Sequence, residues 1–266
     1  MSRPRGILWW LVLALLLASA PTVVAAGTIT LRADPWCPHN CRPESDRPGY
    51  LIELARAIFE PLGHRVDYRA MGWRRTIEAV RAGEIDGAVG AGLEDAPDLV
   101  FADEPAGLAV PVIAVRRGEG FTFTGPGSLG DRVIGAILGY EFGGPLEPWL
   151  RRHARDPTRI QWVSGIDGAV QNLKKLLAGR IDGMLDDRAV IAHYATELGL
   201  RERIELVELG VYQPIGIAFS PARPEGRIYA RAFGEGLRRL RASGELAAIL
   251  GRYGLVDDRP GREPHP

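Results

Sequence analysis

"AGEIDGAV" at Ala82 to Val89 returns as "AGRIDGML" at Ala178 to Leu185. An amphipathic helical segment precedes each copy, "RRTIEAVR" the first and "VQNLKKLL" the second. In both, the glycine ends that helix, because a residue without a Cβ takes the left-handed backbone of a helix end without steric cost. The apolar run after the aspartate then starts a strand. Copies nearly a hundred residues apart are too widely spaced for a solenoid, whose units recur every 20 to 50 residues or so. The repeat predicts two α/β lobes of similar build, with the aspartates of the two "IDG" triplets, Asp86 and Asp182, in structural roles.

Strands and helices alternate on both sides of the repeat. "TITLRA" and "HRVDYRA" read as strands, and "VPVIAV" at Val110 to Val115 as a buried one. "GYLIELARAIFEPLG" places Leu51, Leu54, Ala55, Ile58 and Leu62 on one helical face, with Pro61 disturbing the last turn and Gly63 closing it. The Gly-rich break "RRGEGFTFTGPGS" reads as a passage between lobes. After it, "DRVIGAI", "RIQWVS", "RIDGML" and "RIELVEL" read as strands, with helices at about 143 to 154, 167 to 178 and 187 to 198 between them. "QPIGIAFS" is a second crossing segment. Two helical segments follow, "GRIYARAFGEGLRRLRASG" and "ELAAILGRYG", and the charged tail at 259 to 266 is expected to be disordered.

The N-terminus predicts the compartment. Arg3 and Arg5 precede the apolar run "ILWWLVLALLLASA", and small residues in "PTVVAAG" suit a signal peptidase, so residues 1 to 26 read as a signal peptide cleaved after Ala26. No cysteine stands there to carry a lipid. The expected product is exported to the periplasm, with no stable membrane insertion after cleavage. With 33 basic and 33 acidic residues the net charge is zero, which leaves no global field to draw nucleic acid. A small-molecule solute is the expected partner, and a monomer the expected state.

The ordered pieces "ADPWCP", "PGYLIELARAIFEPLG", "WRRTIEAVRAGEIDGAVGA", "AGRIDGMLDD", "GIAFS" and "LRRLRASGELAAILGRYG" resemble the bacterial extracellular solute-binding proteins of family 3 over nearly all of the mature chain. The resemblance implies a two-lobed α/β fold of the periplasmic-binding-protein type, hinged at two crossing strands, that traps a small solute for an inner-membrane ABC permease. Carried over, lobe one covers about 27 to 109 and 217 to 258, and lobe two about 115 to 211, with crossings near Val110 to Ala114 and Tyr212 to Gly216. The implied ligand-binding residues are Asp34, Trp36, Trp73, Gly92 and Leu93 on one wall, and Tyr140, Glu141, Asp186, Asp187 and Arg188 on the other. Trp36 and Trp73 also suit a core, and Asp187 a helix N-cap. Neither a cofactor nor catalysis is required. An enzymatic alternative, a dehydratase on the same scaffold, would use Glu141 as general acid between Tyr140 and Phe142. A periplasmic sensory module is a third reading.

One departure from the family is informative. Its amino-acid receptors usually carry an arginine shortly after the first repeat strand, where the planar fork clamps an α-carboxylate. Here no Lys, Arg or His lies between Arg81 and Arg116, and "GLEDAPD" supplies Glu94, Asp95 and Asp98 instead. Arg74, Arg75 and Arg188 are the remaining candidates for that clamp. The acidic and aromatic balance suits an amine-containing solute. Both cysteines, Cys37 and Cys41, fall on the implied cleft rim, where their C-x3-C spacing suits a disulfide in an oxidising compartment. Metal ligation by Cys37, His39 and Cys41 is the alternative, for which no fourth ligand is evident.

Overall fold

The computed structural model describes residues 27–257. The signal peptide expected at 1 to 26 and the tail expected at 259 to 266 lie outside them. Among the described residues, ten strands form two five-stranded sheets. The first contains β1 (Thr28–Ala33), β2 (Arg65–Ala70), β3 (Gly87–Gly92), β4 (Gly107–Ala109) and β10 (Gln213–Phe219), in the order β2-β1-β3-β10-β4. The second contains β5 (Pro111–Arg116), β6 (Ile134–Ile137), β7 (Ile160–Val163), β8 (Gly183–Asp187) and β9 (Ile204–Glu208), in the order β7-β6-β8-β5-β9.

One pattern is used twice. Each sheet has three parallel strands, β2-β1-β3 in one and β7-β6-β8 in the other, followed by two antiparallel ones. The two copies of the repeat lead into β3 and β8, which are equivalent strands. Their aspartates do equivalent work. Asp86 accepts hydrogen bonds from the Thr30 backbone N–H at 2.7 Å and the Thr30 hydroxyl at 2.6 Å, and pairs with Arg223 at 2.7 Å. Asp182 accepts from the Val133 N–H at 2.9 Å and lies 3.4 Å from Arg116. Each therefore ties the turn before a central strand to the neighbouring parallel strand or the residue leading into it.

Seven helices among the described residues cover the sheets. α1 (Tyr50–Phe59), α6 (Gly226–Ser243) and α7 (Glu245–Gly251) pack on one face of the first sheet, where Leu31, Leu51, Phe59, Phe219 and Phe233 are buried together. α2 (Trp73–Arg81) covers the other face, setting Trp73, Ile77 and Val80 against Ala88, Ala91 and Ala218. On the second sheet, α3 (Glu147–His153) packs Trp149 and Leu150 near Ile113 and Leu185. α4 (Gly168–Leu177) and α5 (Arg188–Glu197) set Leu173, Leu176 and Val190 against Val112 and Met184. Neighbours along β5 and β8 thus face opposite cores, as strand alternation requires when both faces are covered.

Three details differ from the expectations. The chain passes between sheets at Val110, between β4 and β5, and returns through 209–212, whereas the Gly-rich stretch after β5 leads to β6 within the second sheet. Leu62 does not join the buried face of α1: the helix ends at Phe59, Pro61 lies in a 3-10 turn closed by Gly63 at φ 87°, and Leu62 is 48% exposed. β4 was not anticipated, because three residues are too few to show alternation.

The two aspartates should differ in their contribution to stability. The Asp86 side chain is 5% exposed and that of Asp182 38%. Truncating a buried charged acceptor strands its donors, which costs about 2–3 kcal/mol, while a more exposed group is replaced by water. Asp86→Ala should lower the denaturant midpoint clearly and Asp182→Ala much less, as chemical unfolding of the two variants would show.

Candidate ligand-binding site

The loops at the C-terminal ends of the parallel strands of both sheets meet at one place. Asp34 follows β1, Trp73 opens α2 just after β2, and Gly90 and Gly92 lie at the end of β3. From the other lobe, Tyr140 and Glu141 come shortly after β6, and Asp186 and Asp187 end β8. In open α/β sheets this end of the strands is where ligands bind, since the loops there converge without disturbing the core. A small cavity of about 40 Å³ lies between them. Asp34, Trp36, Asn40, Trp73, Val89, Gly90, Gly92, Asp95 and Ala109 line it from the first lobe, and Pro111, Tyr140, Glu141, Phe142 and Asp187 from the second. Gln213 and Ile215, on the returning strand β10, complete it.

A small covalent ring shapes the first wall. Cys37 and Cys41 are joined by a disulfide, and just before the ring the Trp36 N–H donates to the Asn40 carbonyl at 2.7 Å. This turns Trp36 and Asn40 toward the cavity. Gly49, at φ 103°, lets the following chain pass, since a Cβ there would stand 2.4 Å from Asn40 Cα. Gly90, at φ 85°, does the same beneath the ring: a Cβ would lie 3.0 Å from Asn40 Oδ1 and 3.3 Å from Trp36. His39 points inward, stacked on Trp36 at 4.2 Å, with Nδ1 3.2 Å from the Tyr50 hydroxyl and Nε2 2.9 Å from Asp187. Both sulfurs and both ring nitrogens are engaged, which leaves the alternative Cys37–His39–Cys41 metal site without a free ligand.

Hydrogen bonds from lobe to lobe close the cleft around the cavity. The Trp36 indole donates to Asp186 Oδ1 at 2.8 Å, and the Tyr140 hydroxyl donates to Asp34 Oδ2 at 2.9 Å. The Glu141 N–H reaches Asp95 Oδ1 at 3.4 Å, and Arg42 pairs with Asp167 at the rim. Asp187 is the most heavily engaged. Besides His39, it accepts from the Val110 N–H at 2.7 Å and from the Ala189 and Val190 N–H groups at 2.8 and 3.1 Å, capping α5.

Of the ten residues expected to contact a ligand, Asp34, Trp36, Trp73, Gly92, Tyr140, Glu141 and Asp187 border this cavity. Three do not. Leu93 points the other way, 62% exposed in a separate groove behind β10. Asp186 is fully buried behind the wall as the acceptor for Trp36. Arg188 is turned away and paired with Glu208, and Arg74 is paired with Glu78 on the surface of α2, so neither forms a clamp here. Asp187 borders the cavity with its acceptor positions taken, which makes it a brace and an N-cap before anything else. Asn40, Asp95 and Gln213 were missed. Of the three acids in "GLEDAPD", Asp95 faces the cavity, Asp98 forms a two-pronged pair with Arg81, and Glu94 bonds Gln213.

Among the described residues, no lysine, arginine or histidine lines the cavity. Burial pushes the Asp34 carboxyl up to about 7, against the lowering effect of the Tyr140 hydrogen bond. Burial likewise raises Asp95 to about 7, opposed by the Gly92 N–H, and Asp186 to about 7, opposed by the Trp36 indole. A compact set of acids thus sits beside aromatic rings with no cation to balance it.

Two sheets of one pattern, two crossings and a cavity sealed from both sides define a two-lobed solute-binding protein. The chain belongs to the bacterial extracellular solute-binding proteins, family 3, whose model matches residues 33–256. Among solved structures it is similar to a histidine kinase sensor domain with similarity to periplasmic binding proteins, 23% identical with a TM-score of 0.71 over 87% of this chain and 98% of that one. It is also similar to the arginine-, lysine-, histidine-binding protein ArtJ of Geobacillus stearothermophilus, 18% identical with a TM-score of 0.70 over 89% and 96%. A third, the ancestral amino-acid-binding protein AncCDT-1, a precursor of cyclohexadienyl dehydratase, is 20% identical with a TM-score of 0.67 over 85% and 95%. At these identities the likeness is one of fold. No curated protein sequence matches the chain.

The raised carboxyl of Asp34 gives a pH signature. Its proton is held to about 7 in the folded protein, whereas an unfolded aspartate loses it near 4 or so. The folded state therefore binds more protons between those values, and the stability this confers is complete below about pH 4 and lost as pH rises toward 7. Asp34→Asn mimics the neutral acid and suffers no such loss. Its melting temperature should gain on the wild type by several degrees between pH 4 and pH 7, in paired thermal-unfolding scans; a constant difference would contradict the assignment.

Proposed function

We propose that the protein captures a small amino-acid-like or amine-containing solute between its two lobes outside the cytoplasm and passes it to an inner-membrane ABC permease. The observation that carries this reading is the cavity itself, walled by both lobes at the C-terminal ends of their strands and lined with polar groups among aromatic rings. The hinge would be Val110 and the 209–212 segment, the two places where the chain changes sheets. Solute contacts realised only when both lobes touch it would shift the population toward the closed form, and a permease would read that form. Asp34, Trp36, Trp73, Gly92, Tyr140 and Glu141 are the proposed contacts, joined by Asn40, Asp95 and Gln213. The protein acts as a monomeric carrier, with no chemical step. Glu141, the candidate acid of the enzymatic alternative, is paired with Arg151 at 3.1 Å.

Native mass spectrometry of the protein purified without denaturation tests this reading. A fraction of the wild type should carry an added mass of small-molecule size, and Trp36→Ala, which removes one wall, should lose it. Leu93→Ala, in the groove behind β10, should retain it. Equal retention by all three proteins would count against the cavity as the capture site.

A further inference from the structure

If the cavity is the solute site, its charge balance names the class of solute. Asp34, Asp95, Glu141 and Asp187 reach it, and among the described residues no basic side chain does. Of the nearby cations, Arg151 offsets Glu141 from outside the lining and also pairs with Glu147, while Arg188 is committed to Glu208 and Arg74 to Glu78, which leaves Asp34 and Asp95 without a basic partner. The acids are not equally spent. Asp187 is saturated by four donors. Asp34 has one side-chain donor, Tyr140, and Asp95 has the Gly92 N–H at 2.8 Å and the more distant Glu141 N–H at 3.4 Å. A carboxylate offers about four acceptor positions, so both keep unused capacity.

Among the described residues, two neutral groups in the same wall also lack partners. Asn40 is fully buried, its amide N–H groups donate to the Asp34 carbonyl and the Tyr68 hydroxyl, and its Oδ1 bonds nothing. That oxygen lies 3.0 Å from where a Cβ on Gly90 would stand, so it faces the space Gly90 leaves open. The Trp73 indole N–H is buried and unpartnered as well. Buried polar atoms are nearly always paired in folded proteins, and orphans beside a cavity mark where a ligand completes the set.

A carboxylate entering this space would lose its water next to other carboxyls with no cation to offset the loss. An ammonium or guanidinium would instead meet carboxyl acceptors, whose ionised form it would favour, and the faces of Trp36 and Trp73. We propose that the solute is a small organic cation without a carboxylate, its head held among Asp34, Asp95 and Asn40 Oδ1, and carrying a neutral acceptor for the Trp73 N–H. This excludes a zwitterionic α-amino acid as the preferred solute.

Matched probes separate the two. Titration of intrinsic tryptophan fluorescence would compare L-tyrosine, tyramine, L-tyrosinamide and N-acetyl-L-tyrosine, and in parallel L-arginine and agmatine. At least one carboxylate-free cation should bind tenfold or more tightly than its parent amino acid, and Asp95→Asn should weaken it by a similar factor. A parent amino acid that binds as tightly or tighter, or an acetylated acid that binds at all, overturns the cation class. If that binding disappears in Trp36→Ala, capture in the cleft still stands. Failure of every carboxylate-free cation to bind also overturns the class. Binding unaffected by both Trp36→Ala and Asp95→Asn places the solute elsewhere and removes the reading on which this inference rests.

Discussion

Asp187 holds together the three parts of the molecule that must meet. It is 3% exposed, and a carboxylate so deeply buried persists only if donors replace its lost water. Four do, and they come from different places: His39 on the disulfide ring of one lobe, Val110 at the crossing, and the first turn of α5 in the other lobe. The ring, the crossing and the second lobe are therefore positioned against one charged group. The Val110 and α5 bonds lie on the second lobe or at the junction, so opening the cleft needs to break only the His39 bond at this centre. Through its stacking on Trp36, His39 then carries the lobes' relative position to the cavity wall.

The site follows from duplication of one supersecondary pattern. Each sheet brings its parallel strands to the same end, and the two ends face each other across the crossings. What differs between halves is the furniture of the loops. The first lobe supplies a disulfide ring carrying Trp36 and Asn40, and the second supplies Tyr140 with the paired aspartates of β8. Contacts made across the gap end on carboxyls: Trp36 on Asp186, Tyr140 on Asp34, His39 on Asp187. That arrangement seals the space with donors already used and leaves acceptors in excess, which is the electrostatic character of the cavity.

Much of the fold was legible because local rules sufficed. The repeat marks β3 and β8 through a glycine that must end a helix and an apolar run that must be covered on both faces. Its aspartates read as structural, and Asp86 and Asp182 hold equivalent turns. The disulfide followed from two nearby cysteines and the expectation of an oxidising compartment. The cavity was legible only in part, because the side of a loop on which a side chain emerges depends on contacts distant in sequence. Leu93 and Asp95 are two residues apart, yet one faces the rear groove and the other the cavity. Asp186 and Asp187 alternate on one strand, so their neighbouring positions say nothing about which meets solvent. Asn40 gave no signal, since its role depends on Gly49 and Gly90 allowing the ring to sit against the sheet. Helix continuation past Pro61 was a local misreading, and the 3-10 turn that replaced it exposes Leu62; the Gly-rich stretch after β5 was another, since glycines mark a loop without saying which sheet it leads to.

The central claim is that two lobes move as bodies about Val110 and the 209–212 segment and close over one acidic, aromatic cavity. Pulsed electron-spin distance measurement between nitroxides on Leu62→Cys and Leu198→Cys tests it directly, since both positions are exposed, one on each lobe, and the native cysteines are already paired. The account predicts a broad or double distance distribution in the solute-free protein that collapses to one narrow distance when the tightest-binding probe is added. One unchanged distribution with and without that probe at saturation would contradict it.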